Sequence, residues 1–114
     1  MVTWNYGEIV AASGGAFVSK PRPVLVMQNP QFETGNSIIV MPFTSSRNDD
    51  VTTRIAVSPS EKNGLGRDCF IEIDKISAIK VSAIGPSVGQ LEAEKLAEVR
   101  AWAVTLMSPG EDEE

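Results

Sequence analysis

Histidine is absent from this 114-residue sequence. Its absence removes the commonest general base, the commonest metal ligand and every serine or cysteine triad that needs an imidazole. Any catalysis must therefore rely on arginine, lysine, threonine, serine or a carboxylate. The sequence also has no metal-ligand spacing and no phosphate-loop glycine motif, so we expect neither a bound metal nor a cofactor.

Cysteine occurs once, at Cys69, so an intramolecular disulfide is excluded. Cys69 begins an alternating apolar stretch, which indicates packing more than chemistry. Long apolar runs are also missing, since the longest fall far short of the ~20 residues that a membrane helix needs. The first residues do not form a basic segment followed by an apolar one, and we therefore expect a soluble, cytoplasmic protein that makes no membrane contact.

Positive charge is scarce, because ten basic residues face fifteen acidic ones and the formal net charge is −5. Four of the acids form the stretch 111–114, which we expect to be a disordered tail, and the rest of the chain is nearly neutral. This balance argues against a broad basic face for nucleic acid, so such a contact would need a local basic cleft. The length fits one domain, which we assign to residues 1–110.

Short apolar segments separated by turn residues predict five to six strands and a small β-barrel. These segments cover residues 6–12, 24–28, 37–41, 53–57, 68–73 and 78–85. We expect the strands at 24–28 and 37–41 to pair antiparallel, with Pro42 ending regular pairing. The glycines and serines of 13–19 predict a loop, in which Phe17 either packs on the barrel or offers a stacking surface.

The last segment has the period of an amphipathic helix. Its apolar stripe consists of Leu96, Val99, Ala103 and Leu106. With Glu92 as N-cap, Leu91 and Leu96 take the positions of a hydrophobic staple. Trp102 lies off the stripe and is either an edge of the core or an anchor for a partner chain.

Arg22 stands between Pro21 and Pro23, just before the strand predicted at 24–28. The prolines hold this residue extended, so its planar fork of donors meets a carboxylate or phosphate with little further loss of entropy. The alternative is an arginine that only solubilises the start of a strand. Thr44 opens a hydroxyl-rich loop that is either a simple turn or, if it lies beside Arg22, part of a phosphate-binding cleft.

Several short motifs follow one another in order along residues 6–107. They are Tyr-Gly-Glu-Ile-Val, Arg-Pro-Val-Leu-Val with Gln-Asn, Pro-Phe-Thr-Ser, Gly-x-x-Arg-Asp, Ile-Asp-Lys-Ile, and Ile-Gly before the helix. In this order and spacing the chain resembles the MazF/PemK/Kid family of toxins. The resemblance implies a mainly β, SH3-like barrel with one C-terminal helix. It also implies a homodimeric, sequence-specific endoribonuclease, or mRNA interferase, that a cognate antitoxin neutralises.

The resemblance further implies the residues of the site. Arg22 and Thr44 match the arginine and the hydroxyl residue with which the family cleaves single-stranded RNA, without metal, through attack of the ribose 2′-hydroxyl on phosphorus. Asp74 matches an acid that some members carry, either as a base or to orient Arg22. Contacts with the RNA substrate are predicted for Lys20, Ser45, Asp74 and Ser77.

Three positions depart from the family pattern. Phe17 replaces a glutamate, Ser77 replaces an arginine, and Glu72 stands where one branch has a catalytic arginine, which implies altered RNA specificity, a weak nuclease or an enzyme that has lost activity. The alternative is a non-catalytic toxin like CcdB, a structural relative that inhibits DNA gyrase by binding it. Residues 81–91 resemble a CcdB segment, but the gyrase-binding C-terminus of CcdB is replaced here. A barrel retained only as a binding module is a further possibility.

Overall fold

The computed structural model describes residues 4–14, 17–32 and 34–110. This part of the chain contains seven strands, two short 3₁₀ turns and one helix. The strands are β1 (Glu8–Gly14), β2 (Phe17–Val26), β3 (Ser37–Thr44), β4 (Arg54–Val57), β5 (Cys69–Glu72), β6 (Ser77–Lys80) and β7 (Ile84–Gln90). The 3₁₀ turns are Ile73–Lys75 and Val81–Ala83, and the helix α1 covers Ala93–Leu106. The predicted mainly β class with one C-terminal helix is confirmed.

The strands form one sheet in the order β4-β5-β3-β2-β1-β7, and β6 pairs with β3. The pairing of β2 with β3 is antiparallel, as predicted, with Val26 opposite Val40 and Val24 opposite Pro42. The order begins at β4 and ends at β7, so the sheet does not close into a continuous barrel. This is a minor difference from the predicted architecture.

The core consists of two apolar clusters, because successive side chains of a strand point to opposite faces of the sheet. Leu25 and Met41 belong to the larger cluster, whereas their neighbours Val24 and Val40 belong to the smaller one. Val99 and Ala103 of α1 complete the larger cluster. The helix therefore packs on one face of the sheet through its predicted stripe.

The start of α1 agrees with the sequence, and its end differs. Glu92 is the N-cap, Leu91 is buried, and Leu96 packs on the same cluster, which fits the predicted staple. Leu106, however, is 42% exposed, because the last turn of the helix runs beyond the core, and Trp102 is 37% exposed. In the described ranges no helix has the length and apolarity needed to cross a membrane.

The loop predicted at 13–19 is wrong, since β1 and β2 continue into this region and Gly14 pairs with Phe17. Arg22 therefore lies inside β2, opposite Ala12, and not before the strand. The two flanking prolines are tolerated because this half of β2 has a ladder only with β1. The two alternatives for the Phe17 side chain, packing or stacking, and the predicted disorder of 111–114 lie outside what the structure describes.

The strand predicted at 78–85 is divided between β6 and β7, with a 3₁₀ turn between them. Pro86, just after the predicted segment, lies within β7. The register with β1 shifts between the pairs Ala12–Ile84 and Val10–Ser87, so the proline sits in an irregularity at the edge of the sheet. Such a position needs no ladder donor, and proline costs little there.

Two glycines with positive φ allow a matched test of packing. A Cβ at Gly64 (φ +70°) would overlap the carbonyl oxygen of Val88, whereas a Cβ at Gly35 (φ +76°) meets open space. We expect Gly35→Ala to lower the free energy of unfolding by about 1 kcal/mol, from backbone strain alone. Gly64→Ala should lower it by about 2 to 4 kcal/mol, because overlap adds to the strain. Urea unfolding measures both, and equal losses would contradict the close approach at Gly64.

Candidate active site

A cleft of about 350 Å³ lies between the first half of β2 and the end of β3. Four of the six predicted site residues line it together. They are Lys20 and Arg22 from β2, Thr44 at the end of β3, and Ser45 directly after it. Two segments that lie about twenty residues apart in the chain thus bring a guanidinium and a hydroxyl into one cleft.

The cleft opens where β2 and β3 stop pairing. Their ladder ends at Val24 opposite Pro42, and neither Pro42 nor Pro23 has an N–H with which to continue it. Each strand instead keeps its other neighbour: Arg22 stays opposite Ala12 of β1, and Thr44 stays opposite Phe70 of β5. The two walls of the cleft are therefore held by separate ladders.

Thr44 is half-buried, and its hydroxyl group bonds to the backbone two residues further along the chain. Its Oγ1 accepts a hydrogen bond from the backbone amide of Ser46 at 3.2 Å. A hydroxyl whose oxygen accepts in this way keeps its proton for a different partner. Thr44 can therefore donate a hydrogen bond to an acceptor in the cleft.

A third wall of the cleft is the loop that leads into β5, from which Leu65, Gly66 and Arg67 line it. Asn63, whose side chain is fully buried, holds this loop. Its Oδ1 accepts from the amides of Ser60 and Leu65, both at 3.0 Å, and its Nδ2 donates to the carbonyl of Ser58 at 2.9 Å. The position of Arg67 thus depends on a buried amide four residues earlier.

The same loop is connected to the start of α1 through Glu92. Asn63 Nδ2 lies 3.2 Å from Glu92 Oε1, and the Ser60 hydroxyl donates to Glu92 Oε2. The hydrogen bond from Ser60 is the main cause that holds the pKa of Glu92 below its ordinary value. The ionised form of this carboxylate is therefore the one that ties the loop to the helix.

The cleft concentrates positive charge in a protein with a net charge of −5. Lys20, Arg22 and Arg67 line it, all three are exposed, and none of the described lining residues is acidic. Since low-dielectric walls focus the field of like charges, the cleft attracts anions although the whole molecule is acidic. The local basic cleft that the composition required of any nucleic-acid contact is present.

Cys69 also lines the cleft but is buried in the main core cluster, as predicted. Burial raises the pKa of its thiol, and the neighbouring charge of Asp68 adds to the effect. The thiol is therefore neutral at physiological pH, and only a thiolate is a competent nucleophile. Cys69 contributes packing to the wall of the cleft.

Asp74 and Ser77 are exposed and do not line this cleft. Asp74 Oδ1 accepts a hydrogen bond from Thr53 Oγ1 at 3.0 Å. Ser77 of β6 lies opposite Val40 of β3. Val40 is four residues before Thr44, so Ser77 is displaced from Thr44 by roughly 13 Å along the strand direction. Their predicted contacts with RNA, and a role of Asp74 as base, stay predictions.

Two residues of the site were missed by the sequence reasoning. Arg67 is the arginine of the Gly-x-x-Arg-Asp motif, and its place two residues before β5 was the available signal. Asn63 stands in a turn-rich segment where asparagine is common. Nothing in that local pattern indicates that its side chain is buried against the helix start.

Comparison with known proteins places the chain in a family. The family described as "PemK-like, MazF-like toxin of type II toxin-antitoxin system" matches residues 5–106. A curated protein of Mycolicibacterium smegmatis, named "Probable endoribonuclease MazF", is 38% identical over 86 residues, which are 75% of this chain and 79% of that protein.

Solved structures agree at the level of the fold. A mycobacterial endoribonuclease in complex with its cognate antitoxin superposes with a TM-score of 0.75 at 17% identity, over 95% of this chain and 99% of that one. A chain from the MazE-MazF crystal structure (Form-II) of Deinococcus radiodurans gives a TM-score of 0.76 at 18% identity, over 96% and 100%.

The chain therefore belongs to the PemK-like, MazF-like family of toxins of type II toxin–antitoxin systems. This membership confirms the predicted resemblance and the predicted class of enzyme, a MazF-type endoribonuclease. The alternative of a gyrase-binding toxin receives no support from these comparisons.

The bonds of Glu92 predict a pH-dependent contribution to stability. A carboxyl group whose pKa is lower in the folded protein stabilises the fold fully at pH values above its ordinary pKa, which is 4.5 for glutamate. This stabilisation is lost as the pH falls through the lower pKa of the folded state. We expect Glu92→Gln to lower the free energy of unfolding by about 1 kcal/mol at neutral pH, and by less at acid pH. Urea unfolding at both pH values measures the difference. Glu94→Gln, two residues further along the chain and exposed, is the control, and an equal loss from Glu92→Gln at both pH values would contradict the assignment.

Proposed function

We propose that this toxin cleaves single-stranded RNA in the cleft between β2, β3 and the loop before β5, without a metal ion, and that Arg22 and Thr44 are its catalytic residues. The observation that carries the proposal is the composition of the cleft. Three cations and two hydroxyls line it, and no acid does so among the described residues. This set of groups complements a phosphodiester and repels no part of it.

The reaction needs no residue that forms a covalent bond with RNA. The ribose 2′-oxygen attacks the adjacent phosphorus and gives up its proton to water. The bond from phosphorus to the 5′-oxygen then breaks, and that oxygen takes a proton from water. The products are a cyclic 2′,3′-phosphate and a free 5′-hydroxyl.

The protein accelerates this step by stabilising the charge that develops on the non-bridging oxygens. The Arg22 guanidinium offers two parallel N–H donors, a geometry that suits phosphate oxygens. The Thr44 hydroxyl, whose oxygen already accepts from the Ser46 amide, donates its proton to one of the same oxygens. Preorganised donors of this kind typically contribute a factor of about 10² to 10³ each. Arginine itself is a poor base because its guanidinium group stays protonated in proteins.

The remaining cations and hydroxyls of the cleft bind the strand. Lys20 and Ser45 flank the catalytic pair, and Arg67 extends the positive wall on the side of β5. Asp74 and Ser77 lie outside this cleft, so in this proposal they would contact nucleotides further along the strand. Because the cleft reads mainly phosphate, base selectivity requires groups beyond it.

We extend the proposal to the partners of the toxin. A cognate antitoxin is the expected partner by likeness to the mycobacterial endoribonuclease that was solved in complex with one. A homodimer is supported by three exposed apolar side chains within six residues at the end of α1 and just beyond it, those of Trp102, Leu106 and Met107. The site of action is the cytoplasm, because messenger RNA is translated there.

The central test is cleavage of single-stranded RNA in the presence of EDTA. We expect fragments that end in a cyclic phosphate, and we expect Arg22→Ala and Thr44→Val each to lower kcat by about 10² to 10³. Both residues are at the surface of the cleft, so the variants should unfold like the wild type. Arg47→Ala is the control, because Arg47 is exposed, is paired with Asp49, and lies outside the cleft. Intact RNA across a broad panel of sequences would overturn the proposal.

Salt dependence tests the binding role of Arg67 separately. Neutralising three phosphates on a single strand predicts that log Kobs falls against log salt with a slope of about −2. Arg67→Gln should make this slope less steep by about 0.7, with little change in which sequences are bound. Fluorescence anisotropy with a labelled RNA, on a Thr44→Val background that slows cleavage and keeps all three cations, compares Arg67→Gln with its parent. An unchanged slope would remove Arg67 from the binding surface.

A further inference from the structure

Outside the cleft, the described residues include one ion pair that is largely buried. Arg54 Nη2 of β4 lies 3.2 Å from Glu72 Oε2 of β5, and the two side chains are only 15% and 10% exposed. The other ion pairs of the described residues, Arg47 with Asp49 and Lys95 with Glu98, lie at the surface. Pairs of this kind often contribute little net stability, because desolvation offsets the attraction. A gain in stability therefore does not by itself account for this buried pair, which lies beside the loop that follows Thr44.

Arg54 has a second contact that leads towards the site. Its Nη1 donates to the backbone carbonyl of Ser46 at 2.8 Å. The amide of the same residue, Ser46, donates to Thr44 Oγ1 at 3.2 Å. A continuous path of three hydrogen bonds thus runs from the Glu72 carboxylate to the hydroxyl of Thr44.

We propose that Arg54 and Glu72 are positioning residues of the RNA-cleaving site, which act on Thr44 through Ser46. This inference rests on the proposed function and assigns to β4 and β5 a part in it. Glu72 orients the guanidinium of Arg54, and the guanidinium fixes the carbonyl of Ser46. With Ser46 fixed, its amide occupies the Thr44 oxygen, and the hydroxyl proton is directed to the cleft.

The local structure around Thr44 explains why its side chain needs to be held in place. Ser45 and Ser46 are exposed and lie beyond the last paired residue of β3, so no ladder restrains them. A free Thr44 side chain samples several rotamers, whereas an oxyanion donor must be held close to one geometry. A rigid guanidinium fork can hold a carboxylate and a carbonyl at the same time, and a lysine cannot reproduce that fork.

A double-mutant cycle separates this role from a purely structural one. The variants are Arg54→Lys, Thr44→Val and the combination of both, assayed for kcat and KM on RNA. We expect Arg54→Lys alone to lower kcat about tenfold with KM changed less than about twofold, since a small misplacement of one donor is enough. In the Thr44→Val background the same change should alter kcat by less than about twofold, because the group being positioned is gone. Glu72→Gln should behave like Arg54→Lys with a smaller loss.

Arg47→Lys is the matched control, since Arg47 lies in the same loop with its ion pair at the surface, and its kcat should equal that of the wild type. A loss from Arg54→Lys that is the same with and without the Thr44 hydroxyl would overturn the inference. It would show that the pair supports the fold in general. The proposed function would still stand in that case, because it depends on the wild type, Arg22→Ala and Thr44→Val.

A second measurement needs neither cleavage nor RNA. In folded Arg54→Lys protein, the NMR signal of the Ser46 amide and the χ1 coupling of Thr44 should both move, while the signals of α1 stay in place. Should folded Arg54→Lys retain the wild-type Ser46 and Thr44 signals, the link is absent and the inference is wrong, whatever the activity. If the wild type fails to cleave RNA, the proposed function fails and the catalytic part of the inference fails with it.

Discussion

The cleft exists because the neighbouring strands β2 and β3 are prevented from pairing along their whole length. Prolines at positions 21, 23 and 42 deprive β2 and β3 of N–H donors beyond Val24, so the ladder between them ends in mid-strand. Because β1 continues to hold β2 and β5 holds β3, the strands separate without losing their extended form. The cleft is thus a gap in an otherwise hydrogen-bonded sheet, and its walls are as rigid as the strands that form them.

The second requirement is a wall that comes from outside these strands. The loop before β5 has no ladder of its own and is held by the buried side chain of Asn63 and by the carboxylate of Glu92. One carboxylate therefore caps the helix by position and ties down a loop of the site by its hydrogen bonds. The helix, which packs on one face of the sheet, in this way contributes to the shape of the cleft between β2 and β3.

Much of this architecture was predictable because its causes are local. Short apolar segments between turn residues located most of the strands. Helical spacing of apolar residues placed Val99 and Ala103 in the core, and the prolines on either side of Arg22 indicated an extended backbone there. What could not be predicted depends on contacts between distant segments. The bonds of Arg54 to Ser46 and Glu72, and of Asn63 to Glu92, join residues eight to 29 positions apart, and no local pattern records them. The prediction of a loop at 13–19 was wrong because pairing between β1 and β2 overrides the preference of glycine and serine for turns.

The burial of Cys69 has a consequence for how the toxin withstands oxidants. Hydrogen peroxide reacts with thiolates, and a neutral, enclosed thiol is a poor substrate for it. The sulfur in the wall of the cleft is therefore protected from conversion to sulfenic acid. The sequence has no other cysteine, so thiol oxidation in this protein is limited to this one buried group.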